Sequence, residues 1–324
     1  MKKVIVAGFL LVLLSFISQA QQRAQYSQYM INQYVLNPAL TGTYDYAHIV
    51  AGYRNQWVGN NFEGAAPVTY YLSGHTSIAR GSRKPHPYRN KHAGYHSVGG
   101  MIYNDQTGPT SRMGIQGSYA YNERISGNWR ASLGVFLGVM QYSLNTSKLH
   151  FAESEAVSSQ TRLVPDGSIG GWVYNKHVYV GVAVSQIFQS RLNFDIPATG
   201  QDVQGVGSKL ANHYFITSGI KIDVAPDWAV VPSIMLKYNN PAPVSIDING
   251  KVRYKDMVWV GASYRNLDSF TALFGFVIGK QLEFGYSYDY TISKINAYTS
   301  GSHEVLLGLR LWPRARLDCP SNFW

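Results

Sequence analysis

Nine histidines are the first residues that invite a chemical reading, and four of them, His75, His86, His92 and His96, fall in one stretch of the chain. Neutral imidazole is a common metal ligand, and a pair four residues apart shares one face of a helix. His92 and His96 have that spacing, yet from Tyr95 onward the pattern is that of a strand. Strand residues four apart share a face but lie about 13 Å from one another. No metal is expected there. Nucleophilic chemistry is served no better, because no local motif assembles Ser, His and Asp and no Gly-x-Ser-x-Gly elbow occurs. The run Gly81-Ser82-Arg83-Lys84 lacks the first glycine of a phosphate-binding loop. The single cysteine, Cys319, rules out an intrachain disulfide, a cysteine-based zinc site and an iron–sulfur cluster, and its thiol pairs only between molecules. The chain is therefore expected to be no enzyme and to hold no cofactor.

One charged run remains: Arg80, Arg83, Lys84, Arg89 and Lys91, stiffened by Pro85 and Pro87. Five cations in a rigid loop have the chemistry to dock an acidic partner, and equally to rest in solvent or against anionic headgroups. Nucleic acid is not an expected partner, since the chain carries an export leader and the rest of its excess charge is dispersed. Residues 1–20 form that leader: Lys2 and Lys3, an apolar core over residues 4–17, and Ser18-Gln19-Ala20 before a cleavage point. The apolar run is shorter than the roughly 20 residues of a spanning helix. Its removal lowers the formal charge of +10 by two.

The elements that position these residues are strands. Only 14% of the 324 residues are charged while 45% are hydrophobic and 24 are tyrosine, a shortage of charge against the roughly 25% of ordinary soluble domains. From Tyr46 on, segments of about ten residues alternate in character and end in Gly, Asn, Asp or Pro, as strands of an outer-membrane barrel do. Val178, Val180, Val182 and Val184 fall opposite Tyr179, Gly181, Ala183 and Ser185. Leu282, Phe284, Tyr286, Tyr288 and Tyr290 fall opposite Glu283, Gly285, Ser287, Asp289 and Thr291, and Val305, Leu307, Leu309 and Leu311 opposite Glu304, Gly308 and Arg310. One face suits lipid and the other a lumen. Strand starts are expected near residues 47, 68, 96, 112, 129, 167, 178, 212, 228, 244, 258, 269, 282 and 303, giving an all-β transmembrane antiparallel barrel of about 14 strands.

Short connections near residues 175–177, 225–227, 254–257 and 279–281 are expected to face the periplasm. Long ones over residues 141–166, 188–210 and 291–302 are expected outside, which puts both chain ends on the periplasmic side. Residues 80–92 depart from the pattern by being long on the inner side. Glycines such as Gly99, Gly100, Gly114, Gly117, Gly134 and Gly138 are expected at bends of the tilted wall. Trp57, Trp129, Trp172, Trp228 and Trp259 are expected in interfacial girdles. A soluble secreted β-sandwich or barrel is the plainer alternative.

The mature N-terminus is not strand-like. It carries Gln25-Tyr26-Ser27-Gln28-Tyr29-Met30 and then Asn37-Pro38-Ala39-Leu40-Thr41-Gly42. With Tyr53-Arg54-Asn55-Gln56-Trp57, residues 64–69 ending in Pro67-Val68-Thr69, Asn104-Asp105 with Gly108, and Gly301-Ser302-His303-Glu304, these segments resemble the PorP/SprF family of type IX secretion system membrane proteins of the Bacteroidetes. The resemblance spans nearly the whole mature chain. It departs at Leu40-Thr41, where the family more often has Tyr-Ala, and at Ala66, which lengthens the approach to Pro67. Asn37-Pro38 starts a turn and Gly42 permits a positive φ. Tyr26, Tyr29, Met30 and Tyr34 are accordingly expected to form a plug or collar at the periplasmic mouth or in the lumen.

The resemblance implies an outer-membrane component of type IX secretion that assists the export and surface attachment of clients, gliding adhesins among them. Its implied partners are a client's C-terminal sorting domain at the extracellular loops or in the lumen, periplasmic lipoproteins of the machinery on the other side, and outer-membrane lipid. The organisation that follows is a leader over 1–20, a plug segment over 21–45, a barrel over 46–312 and a periplasmic tail over 313–324. A porin-like channel for small solutes is the competing reading, since a barrel of this size is wide enough to conduct unless it is plugged.

Overall fold

Inside a bilayer the backbone has no water to bond, so a chain that crosses as strands must close its sheet into a ring. The structure, a computed structural model, describes residues 23–59, 64–78, 94–146, 159–192, 208–240 and 242–311. Fourteen antiparallel strands close the ring. They are β1 (Ala47–Asn55), β2 (Val68–Ser77), β3 (Tyr95–Thr107), β4 (Thr110–Ser126), β5 (Trp129–Leu144), β6 (Gln160–Tyr174) and β7 (Val178–Ser185). Then follow β8 (His213–Ile220, extended past Lys221 by Ile222–Ala225), β9 (Trp228–Tyr238), β10 (Ser245–Tyr254), β11 (Val258–Arg265), β12 (Ser269–Ile278), β13 (Leu282–Thr291) and β14 (Ser302–Leu311). Every strand pairs with its neighbours in sequence, and β14 returns to β1 with Leu311 opposite Ala47 and His303 opposite Asn55.

The alternation read from the sequence becomes an inversion of the usual distribution of polarity. Leu133 is 70% exposed and Leu163 68%, while Asp247 and Glu304 are 0% exposed and Lys251 1%. Charges almost never lie fully buried unless they are paired, and large aliphatics are rarely exposed in a continuous band. Both follow if the outer face meets hydrocarbon and the inner face a polar lumen. The strand starts fall within two residues of expectation except for β6, which begins at Gln160 because residues 141–144 and 160–166 pair with their opposite strands (Gln141 with Leu163, Leu144 with Gln160). The long loop expected over 141–166 thus shrinks to residues 145–159. The strands β3 to β6, with 13, 17, 16 and 15 residues, overhang the 9–11 that a spanning strand needs.

The ring has two unlike ends. At the end where β1 begins, the connections over 127–128, 175–177, 226–227, 255–257 and 279–281 have two or three residues. The other end carries the longer ones over 56–67, 145–159, 186–212, 239–244 and 292–301, together with two tight turns at 108–109 and 266–268. The expected leader, the basic run from Arg80 to Lys91 with Arg83, Lys84 and Arg89, and the tail with Cys319 lie outside the described residues.

Two expectations about the wall are corrected. Trp129 and Trp228 are exposed near the short-turn end, but Trp172 and Trp259 point inward and are 1% and 4% exposed. They do so because an inward ring lies across a glycine directly opposite it on the next strand. Trp172 covers Gly181 and Trp259 covers Gly275, as Tyr71 covers Gly52, Tyr103 covers Gly114 and Tyr179 covers Gly219. A Cβ at any of these five glycines would overlap the ring. Of the glycines expected at bends, Gly114 thus serves cross-strand packing, as the other four glycines under rings do, a pairing that stabilises sheet register.

Gly181→Val is accordingly expected to destabilise the folded barrel by about 1–3 kcal/mol through overpacking against the Trp172 ring. Gly250→Ala, whose added carbon meets nothing within 4 Å, should leave the denaturant midpoint in detergent unchanged.

Candidate functional site

The site is the interior of the ring, which residues 23–46 occupy. The segment makes three short 3-10 turns, Gln28–Met30, Gln33–Val35 and Pro38–Leu40. The last is set by its sequence: Asn37 is extended at φ −136°, its side chain accepts the Ala39 amide at 2.9 Å, and Pro38 supplies the fixed φ of a first turn. Gly42 ends the run at φ +63°, where a Cβ would strike Ser97.

The inner wall meets this segment residue by residue. Near the long-loop end, Arg54 of β1 pairs with Asp289 of β13 at 2.7 Å and Glu304 of β14 at 3.1 Å. Ser27 sits among all three: its hydroxyl accepts from Arg54 at 2.8 Å and donates to Asp289 at 2.6 Å, while its amide donates to Glu304 at 2.7 Å. The Gln28 amide group donates to the Glu304 carbonyl at 2.9 Å. Beside them Arg265 bonds Asp247 at 3.2 Å, Asp268 at 3.0 Å and the Gln25 side-chain oxygen at 3.1 Å, and Lys237 reaches Asp247 at 2.9 Å. Charge-assisted bonds of this kind are roughly twice as strong as neutral ones.

Deeper in, the contacts turn neutral and apolar. Asn249 donates to the Tyr29 hydroxyl, Asn32 donates to Ser73 at 3.0 Å, Gln33 to the Tyr179 hydroxyl at 3.0 Å, and Tyr34 bonds Ser118 at 2.7 Å. The Asn37 amide donates to the carbonyls of Gly171 and Val182, both at 3.2 Å. Tyr26, Tyr29 and Met30 pack in one cluster with wall residues that include Tyr71, Met101, Phe215 and Trp259, and Tyr34, Ala39 and Leu40 pack with Phe136, Trp172 and Tyr179 in another. Four wall glycines act as sockets. A Cβ at Gly134 would overlap the Pro38 carbonyl, at Gly170 the Asn37 side-chain oxygen, at Gly99 the Tyr34 hydroxyl and at Gly285 the Gln28 side-chain oxygen. Gly134 and Gly170 face each other across β5 and β6.

The family-like residues of the wall divide between its faces. Arg54 and Asp105 point inward, Asp105 accepting from Thr69 at 2.7 Å, whereas Tyr53 points outward against Tyr70 with ring centroids 5.0 Å apart. Asn104 accepts from Ser111 at 3.1 Å on the outer side. Gln56 bonds the Pro67 carbonyl through its backbone at 2.9 Å, and the Trp57 amide bonds Ser302 at 3.0 Å. The sequence placed Glu283, Asp289, Glu304 and Arg310 on the inner face. It did not show that Arg54 and Ser27 would join Asp289 and Glu304, because pairings between residues 235 to 277 positions apart leave no local signal. The Gly134 and Gly170 sockets carry a faint one, glycines at inward positions of adjacent strands. Among the described residues no group of three or more His, Cys, Asp and Glu is placed to hold a metal ion. His75 accepts from the Gly42 amide at 3.0 Å, and His96 lies outside against the Tyr119 hydroxyl at 2.6 Å.

The sequence profile of the type IX secretion system membrane proteins PorP/SprF matches residues 18–309. The chain belongs to that family. No curated protein matches it in sequence. Among solved structures it is similar to the Ralstonia pickettii toluene transporter TbuX (11% identity, 88% of this chain and 93% of that one, TM-score 0.47) and to a Pseudomonas aeruginosa FadL homologue (9%, 85% and 91%, TM-score 0.47). It is also similar to the monoaromatic hydrocarbon channel CymD (11%, 88% and 92%, TM-score 0.47). At that distance the similarity is one of outline.

Arg54→Ala leaves Asp289 and Glu304 buried without their shared cation, and removal of one partner from a buried ion pair costs about 3–5 kcal/mol. Ser27→Ala loses two hydrogen bonds of its hydroxyl to charged groups, Arg54 and Asp289, at a cost of about 1–3 kcal/mol. Denaturant titration in detergent micelles should rank Arg54→Ala well below Ser27→Ala and both below the parent.

Proposed function

We propose that the chain is an outer-membrane barrel that helps the type IX machinery deliver client proteins to the cell surface and hold them there, gliding adhesins among them. It arrives by way of a leader removed after Ala20. A client's C-terminal sorting domain meets the long-loop end, over residues 145–159, 186–212 and 292–301. Lipoproteins of the machinery meet the periplasmic short-turn end, to which the basic run from Arg80 to Lys91 belongs by its place between β2 and β3. Lipid surrounds the apolar belt.

What supports this reading is the family, together with one observation: the lumen is taken up by the chain's own residues 23–46, of which residues 26–44 are all buried. A barrel filled with its own packed polypeptide suits holding and docking better than passive flow of solutes. Residues 21–45 are on this reading a plug, anchored by Ser27 at the ion cluster and by Asn37-Pro38 in the glycine sockets. The acid–base groups at the long-loop end are spent on one another and on the plug, which favours a non-enzymatic role.

In planar bilayers the intact protein should conduct little, and deletion of residues 21–42 should raise single-channel conductance several-fold. Affinity isolation from the outer membrane should recover a secreted client or lipoproteins of the secretion machinery. A large conductance of the intact chain, with neither class of partner recovered, would establish the porin reading instead.

A further inference from the structure

The lumenal segment has a direction, and it is not the one the strand order suggests. β1 begins at the short-turn end, where Ala47 faces Leu311, and β14 ends there too. The residues that precede β1 start at the opposite mouth. Gln25 is bonded to Arg265, the last residue of β11, which also holds Asp268 in the 266–268 turn of the long-loop end. Arg23 and Ala24 line a small chamber with Asp105, Arg112 and Gln186, all at that same end. From there the contacts descend in order: Ser27 to Glu304, Asn32 to Ser73, Tyr34 to Ser118, Thr41 to Ser118 and Gly42 to His75. Tyr44 and Tyr46 close the run against His48, one residue into β1.

We infer that the processed amino terminus is displayed on the long-loop face of the barrel, on the opposite side of the membrane from the end of β14. Two residues separate Arg23 from a cleavage point after Ala20. At no more than about 3.6 Å per residue they reach roughly 7 Å. The other mouth lies a full hydrocarbon thickness away, about 30 Å, through a lumen that the segment itself fills. The amino-terminal tail therefore joins the long loops as part of the surface that any polypeptide arriving on that face meets. This inference holds whether or not the barrel serves secretion.

The test compares three single-cysteine proteins made in a Cys319→Ser background and labelled on intact cells with a membrane-impermeant maleimide. They are Gln22→Cys at the tail, Lys294→Cys in the 292–301 connection and Lys280→Cys in the 279–281 turn. Gln22→Cys is expected to label as fully as Lys294→Cys, with Lys280→Cys labelled only after permeabilisation. Labelling of Gln22→Cys in step with Lys280→Cys overturns the inference. If Gln22→Cys does not assemble, a cysteine inserted ahead of Gln21 is read against the same two controls, and the same two outcomes decide. Because the readout is the face of exposure alone, it is unaffected by whether a client or machinery partner is ever recovered.

Discussion

The guanidinium of Arg54 is shared by Asp289, Glu304 and the Ser27 hydroxyl, and through that contact the wall and the lumenal segment become one structure. A closed ring of alternating strands has to put half of its side chains inside. In this protein those include charges that are costly to bury without partners. Arg54 bonds two carboxylates from β13 and β14, and Ser27 bonds all three groups through its hydroxyl and its amide. The lumenal segment thereby supplies hydrogen bonds to charges that the wall buries.

Shape completes what charge begins. Glycines set the inner contour twice over, lying beneath aromatic rings at Gly52, Gly114, Gly181, Gly219 and Gly275, and beneath the lumenal segment at Gly99, Gly134, Gly170 and Gly285. The first group lets large rings lie flat against the wall and fill its interior without narrowing it. The second lets the Asn37-Pro38 turn approach the backbone so closely that Asn37 bonds the carbonyls of Gly171 and Val182. Glycine in a strand weakens it and often marks such a close approach, so the weakness is confined to places where a ring or a turn covers it.

These features give the two ends of the barrel different work. The short-turn end holds the strand ends in a regular rim and carries its own ion cluster of His48, Glu283 and Arg310, while the long-loop end gathers the Arg54 and Arg265 clusters, the overhang of β3 to β6 and the start of the lumenal segment. Membership of the PorP/SprF family attaches that asymmetry to type IX secretion. The rigid contacts of the lumenal segment span the whole distance between the two mouths, so both faces of the membrane are connected through a single packed column.

Strands, their number, their two faces and the family are all legible along the chain. Each of these is local: a period of two decides which of Leu282 and Glu283 meets lipid, and turn residues decide where strands stop. The sequence also marked Asn37-Pro38 and Gly42 as turn-forming and Tyr26, Tyr29, Met30 and Tyr34 as residues to be packed. What only the tertiary structure decided was adjacency across the ring. That Trp172 and Trp259 turn inward over glycines, that β5 and β6 prolong each other through residues 141–144 and 160–163, and that the amino-terminal segment runs from the loop end down to β1 all follow from register and closure. These place residues more than two hundred positions apart within hydrogen-bonding distance. No period in the chain encodes such a distance, because it is fixed only when the last strand meets the first.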